Sequence, residues 1–196
     1  MADDIDDIHR FWFGQLDAQG MSPPAQQALW FKSSAQTDAT CCQRFGHLVD
    51  SAQDGGLSDW ETSDRGLVAL VLLLDQFTRN CYRDTPDAFA GDTRALALAR
   101  QCIDSGRLQH LPPIHQVFLL LPLEHAENLA VQEECVTLFA ALAARTGLAQ
   151  ITDFGRYAIA HRDVIARFGR FPHRNAILQR DSTAEEIEHL KVHGGF

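Results

Sequence analysis

Nine consecutive apolar residues, Gly66 to Leu74, run directly into the polar string DQFTRNCYR, and no other feature limits so sharply the folds open to this chain. A helix that is apolar on every face must be enclosed by other helices, because nine residues fall far short of the ~20 that span a bilayer. The polar residues that follow are carried toward the interior with it, where each needs a partner. Asp75 and Arg79 are four apart and share a helical face, as do Gln76 and Asn80, with Arg83 one turn beyond. Two readings compete: an acid–base pair closing the end of a core helix, or a set of ligand-binding groups, Asp75, Gln76, Arg79 and Asn80, at the edge of a pocket.

Helix signals recur along the rest of the chain and strand alternation does not. Ser22-Pro23-Pro24 opens a helix expected to run to the Asp54-Gly55-Gly56 stop, and Thr62 or Ser63 caps another from Asp64 to about Arg83. Thr85-Pro86 starts a third that ends near Gly106, and Pro112-Pro113 a fourth that Pro122 is expected to kink or interrupt. The helical pattern resumes through Ala141 to Gly147, continues from roughly Thr152 to Phe168, and ends with a helix whose capping box is read as Ser182 with Glu185. Seven or eight helices joined by short turns predict an all-α fold with antiparallel neighbours. At 196 residues the chain is read as a single domain, 1–196, able to bury ~70% of its unfolded surface without disulfide staples. No 34-residue repeat of tetratricopeptide type is recognisable.

Charge and cysteine usage narrow the function classes. A net charge of −9 argues against nucleic acid, whose affinity comes from cations meeting phosphates. The N-terminal MADDIDDIHRFWFG has neither a basic region nor an apolar one, so no secretory signal is expected, and no apolar run is long enough for a membrane partner. Five cysteines, an odd number without a CxxC, predict buried reduced thiols and a cytoplasmic location. Basic charge is carried by fifteen arginines and two lysines, a choice that suits bidentate contacts to carboxylates or phosphates.

Against this acidic background, His161 to Asn175 reads HRDVIARFGRFPHRN, and from Arg156 to Arg180 six arginines face one acid, Asp163. Gly169 ends a helix, Phe168 and Phe171 anchor the turn, and Pro172 stiffens it. Arg170, His173, Arg174 and Asn175 are then donors on a rigid loop suited to an anion. The competing reading has the same donors capping helix ends and tying down the C-terminal helix. His161 falls with Tyr157, Val164, Ile165 and Phe168 on an apolar stripe, which predicts a buried histidine. After Pro122, Glu124, Glu127 and Asn128 are expected on one helical face with His125 beside them. Glu124, His125, His161 and His173 are the candidates for acid–base chemistry. No HExxH, paired ExxH or finger spacing is present, so no metal is expected, and the missing phosphate-loop and dinucleotide signatures point to no cofactor.

Three segments, LLLDQFTRNCYRDTPDAFAGD, FLLLPLEHAENLAVQ and HRDVIARFGRFPHRNAILQRDSTAEE, together with the early FWFG and the Trp30-Phe31 pair, resemble the bacterial domain of unknown function 924 family over nearly the whole chain. The resemblance implies a single all-α domain of tetratricopeptide-like superhelical type and carries no activity. Thr78 stands where the family pattern has proline, and Gln179 where it has glycine. The leading expectation is a pocket for a small anionic molecule, with Arg79, Arg170 and Arg174 holding its charge and acid–base groups beside them. The alternative is a peptide- or protein-binding helical module without catalytic activity. Whether the chain is an enzyme, and in what oligomeric state it works, is not written in the sequence.

Overall fold

A computed structural model describes residues 2–32 and 34–195, and among them every regular element is helical. The elements are α1 (Ala2–Phe13), α2 (Ala25–Phe31), α3 (Ala35–Gln53), α4 (Asp64–Leu72), a π-helical turn (Leu73–Phe77), α5 (Thr78–Cys81), α6 (Asp92–Asp104), α7 (Pro113–Glu124), α8 (Leu129–Thr146), α9 (Ala149–Phe168) and α10 (Ala184–His193), with short 3-10 turns between them. None of these helices is long and apolar enough to cross a membrane. The chain divides into two compact units, Met1–Arg83 with Asp87–Pro122, and Asp84–Pro86 with Leu123–Phe196.

In the first unit the apolar run does what its pattern demands, since every residue from Gly66 to Asp75 is buried. Aromatic rings fill the space around it. Trp12 and Phe13 of the FWFG motif lie 5.1 Å from Phe77 and 5.3 Å from Phe118, centroid to centroid, and Phe45 packs on Phe77 at 5.1 Å. The Trp30 indole N–H donates to the Trp12 carbonyl at 2.9 Å, which fastens α2 to α1. Two histidines share this core: the His9 and His115 rings meet at 4.9 Å, and His9 Nε2 reaches the Arg65 carbonyl at 2.9 Å. Burial pushes His9 down to about 4 and His115 down to about 3.

The helix expected from Asp64 to Arg83 is capped by Ser63, whose hydroxyl accepts from the Gly66 N–H at 3.0 Å, but it widens at Leu73–Phe77. The Thr78 N–H bonds back five residues to the Leu73 carbonyl, and its hydroxyl bonds to the Leu74 carbonyl at 3.0 Å. Such a π-turn diverts the Thr78 N–H from the Leu74 carbonyl, which accepts the Thr78 hydroxyl instead. Gly91 explains why the backbone can approach here: a Cβ at that position would sit 2.2 Å from the Leu74 carbonyl oxygen.

Other boundaries shift for local reasons. The helix expected from Pro23 to Asp54 is two helices, because Lys32 turns extended (φ −106°, ψ 93°) and the Ser34 side chain caps α3 by accepting from the Thr37 N–H. Serine at this position competes with the helix by bonding the backbone itself. Pro122 lies in the last turn of α7, which ends two residues later at Glu124, so residues 125–128 form a turn. Glu127 and Asn128 therefore share no helical face with Glu124; the Asn128 side chain is the N-cap of α8, accepting from the Val131 N–H at 3.3 Å.

In the second unit, α8 and α9 are joined across Gly147, which caps α8 at φ 66°, and a connection this short makes them an antiparallel hairpin. Gly169 ends α9 at φ 70°. Val164, Ile165 and Phe171 form a buried cluster with Phe168 packed against it. The capping box of α10 is Thr183 with Glu186, one residue later than the Ser182–Glu185 pair expected. Both patterns fit the spacing; Ser182 instead accepts from the Asn175 side chain at 3.0 Å.

Candidate functional site

The predicted site residues fall into two groups, one in each unit. In the first, Asp75 is fully buried, with Gln76 Nε2 donating to its Oδ2 at 2.6 Å and Arg79 Nη1 3.4 Å from its Oδ1. Arg79 also donates to the Asp75 carbonyl and grips Asp92 with both Nη atoms, at 2.9 and 3.1 Å. Burial alone would push the Arg79 guanidinium down, but Asp75 and Asp92 more than offset it and hold it charged. One turn on, Asn80 donates to Asp38 at 2.8 Å, and Arg83 binds the same carboxylate at 2.6 and 2.8 Å. Spacing identified the Asp75–Arg79 pair, but Asp38 and Asp92 lie far away in sequence and were not singled out.

The second group is built around Phe171. Its backbone is clamped: the N–H donates to Glu127 Oε1 at 2.8 Å, and the carbonyl accepts from Arg180 at 3.2 Å. Glu127 and Arg180 in turn form a bidentate pair at 2.6 and 2.9 Å. Burial alone would raise the Glu127 carboxyl, but Arg180 and the Phe171 N–H hold it below the usual range. The loop beyond is fastened by the same chemistry. Arg170 binds both oxygens of Glu186 at 2.7 and 2.9 Å and donates to the Asp181 carbonyl. Asn175 accepts from Arg180 Nε at 3.0 Å and donates to Glu186 at 3.3 Å. The guanidinium of Arg170 and the amide of Asn175 are thus engaged in holding α10 and its preceding loop.

With its backbone fixed, the Phe171 ring positions the remaining candidates. His161 meets it edge-on at 5.5 Å, His173 tilts against it at 5.6 Å, and the Arg174 guanidinium lies over its face at 4.6 Å. His125 stands 6.2 Å from His161. Glu124, only 4% exposed, places Oε1 3.1 Å from His161 Nδ1, which also contacts the Tyr157 carbonyl at 2.9 Å. Nδ1–H is thus the donor, the tautomer that leaves Nε2 as the proton acceptor. Burial is the largest influence on His161 and, with His125, His173 and Arg174 nearby, pushes it down to about 3, while the hydrogen bond to the Tyr157 carbonyl opposes that shift.

His161, Val164 and Ile165 face the interior as their stripe implied, but Tyr157 at the start of it is 58% exposed and contributes its carbonyl instead of its ring. Gln132, not singled out by any motif, is fully buried and donates to the Glu124 carbonyl at 2.5 Å and the Ala126 carbonyl at 2.8 Å, which sets the turn carrying Glu124 and His125. Its only signal in the sequence was a polar residue on an otherwise apolar face of α8. Among the described residues no group of three or more His, Cys, Asp or Glu side chains is placed to hold a metal ion.

No curated protein matches the chain. A solved structure described as a protein of unknown function, ATU0120 from Agrobacterium tumefaciens, is 34% identical, covers 97% of this chain and 98% of its own, and superposes with a TM-score of 0.83. The helical order that carries the Asp75–Arg79 and Glu124–His161 pairs is therefore similar to one seen in a relative. A family model described as bacterial protein of unknown function (DUF924) matches residues 8–194, and the chain belongs to that family.

Proposed function

We propose that the second unit binds a small anionic molecule and exchanges a proton with it through the Glu124–His161 pair. One observation carries the reading: a carboxylate and an imidazole, both buried, lie 3.1 Å apart within a group that also contains His125, His173 and Arg174. Burial keeps the His161 ring neutral, the form that accepts a proton, and strengthens the pull of a bound anion's negative charge toward protonating it. Arg174 and the two outer histidines hold the ligand's charge. His161 takes the proton at Nε2, and Glu124 stabilises the imidazolium that forms. Arg79 and Arg170, whose donors hold Asp92 and Glu186, serve the fold. We place this activity in the cytoplasm, a reading supported by an odd number of cysteines without a disulfide framework.

The test is an NMR titration of the histidine rings with inorganic phosphate and with acetate, malonate and succinate. Saturable shifts of His125, His161 and His173, lost in Arg174→Ala while the fold persists, are the expected result. Uniform shifts that scale only with ionic strength, or saturable binding unchanged in Arg174→Ala, would overturn it. The second reading, a peptide-binding helical module, predicts no anion response. It draws support from exposed Tyr157 and Ile159 on α9 and Ile187 and Val192 on α10.

A further inference from the structure

The five thiols are not equivalent. Cys41, Cys102 and Cys135 are buried, whereas Cys42 is exposed and Cys81 half-buried. The two accessible thiols are thirty-nine positions apart in sequence, one on α3 and one at the end of α5. Packing nevertheless brings them to the same contact: Asp38, Cys42 and Asp50 fall on one face of α3, and that face receives the residues on either side of Cys81. The surrounding bonds hold them there. Asn80 and Arg83 both bind Asp38, one turn before Cys42, and the Tyr82 hydroxyl donates to Asp50 further along the same helix. Cys81 is thus flanked on both sides by residues fastened to α3.

We propose that Cys42 and Cys81 are a modification site, a dithiol that peroxide converts to an intramolecular disulfide linking α3 to α5. Cys42, the thiol open to solvent, attacks a peroxide oxygen as its thiolate; the O–O bond breaks, giving a sulfenic acid and, after protonation, water. The Cys81 sulfur then attacks the Cys42 sulfur, the S–S bond forms, and the hydroxyl leaves as a second water with the Cys81 proton. Two thiols and one hydrogen peroxide give one disulfide and two waters. Cys81 is half-buried, and burial together with Cys42 and Asp50 nearby pushes its thiol well above its ordinary value, so it serves as the resolving partner to the exposed Cys42.

Cys41 is no substitute for Cys42. Successive helical residues point about 100° apart, and its thiol is enclosed. The link closes at a residue two positions after Arg79, so oxidation fixes the end of the segment that carries the Asp75–Arg79–Asp92 cluster. It does not depend on the anion site proposed for the second unit.

The experiment treats the full chain with a few equivalents of hydrogen peroxide, blocks remaining thiols under denaturing conditions, and maps peptides without reduction. The expected result is a monomeric product lighter by two hydrogens, three blocked cysteines in place of five, and a cross-linked pair containing Cys42 and Cys81, reversed by dithiothreitol. Cys81→Ser, checked for folding by circular dichroism, is expected to leave a Cys42 sulfenic acid that dimedone traps, and Cys42→Ser to leave Cys81 unmodified. A Cys41–Cys42 link, only intermolecular products, or five thiols still blocked after treatment would each overturn the proposal.

Discussion

Acidification is the perturbation that most directly tests the interior of this protein, because three histidines are buried in it. The unfolded reference is 6.5 for each, and burial pushes His9 to about 4, His115 to about 3 and His161 to about 3. A histidine pKa lowered by folding means that the native state prefers the neutral ring. Its stabilising contribution is therefore complete above pH 6.5 and is lost as the pH falls from 6.5 toward the folded value. Between pH 7.5 and pH 5 each such histidine costs about 2 kcal/mol, a figure that barely changes for any folded pKa of 4 or lower. Three together cost about 6 kcal/mol, comparable with the whole stability of an ordinary domain. Glu186, held down to about 2, leaves this window undisturbed, since its contribution is lost only below its unfolded value of 4.5. Urea unfolding at half-unit steps from pH 7.5 to 5 measures the slope, which should approach about 4 kcal/mol per pH unit at the acid end. All three tryptophans lie in the first unit, so their fluorescence follows His9 and His115, while circular dichroism follows both units. His9→Gln should remove about one proton from the fluorescence-detected slope, and His161→Gln one from the dichroism-detected slope alone if the units unfold separately. A slope of one proton or less, with ring resonances titrating near 6.5, would refute the reasoning. A slope missing only the His161 proton would mean that Glu124 at 3.1 Å outweighs burial there.

Arg79→Ala should cost about 3 kcal/mol in denaturant unfolding, because it strands the fully buried Asp75 and leaves Asp92 without its fork; a loss below about 1 kcal/mol would show that the pair contributes little to stability. Gln179 holds φ 54°, a left-handed conformation that glycine adopts without steric cost, so Gln179→Gly should stabilise the protein by about 0.5–1 kcal/mol, measured as a rise in urea midpoint at unchanged slope.

Much of this architecture was legible in the sequence because its causes are local. The all-round apolar run Gly66–Leu74, the Ser63 cap, the glycines ending α8 and α9, and the stripe that buries His161 all follow from interactions within about four residues, and spacing records those directly. The pairing of Asp75 with Arg79 belongs to the same class. Where two local solutions were equally good, as for the α10 capping box, spacing alone could not rank them, and the outcome turned on which serine or glutamate another segment needed. The π-turn at Leu73–Phe77 is likewise invisible to a periodicity of 3.6, as is the close approach of the Gly91 backbone to the Leu74 carbonyl within it.

What only the tertiary structure decided is the assignment of partners. Six arginines between Arg156 and Arg180 look alike as a sequence, yet Arg180 holds Glu127, Arg170 holds Glu186, and Arg174 lies on Phe171 beside His161 and His173. Likewise Asp38, Asp92 and Gln132 carry no motif and became partners of Arg83, Arg79 and the Glu124 carbonyl only once their helices packed. The physical reason is that a charge's cost of burial is fixed by its own chemistry, which the sequence states, while the group that offsets that cost is whichever one the packed core brings within 3 Å.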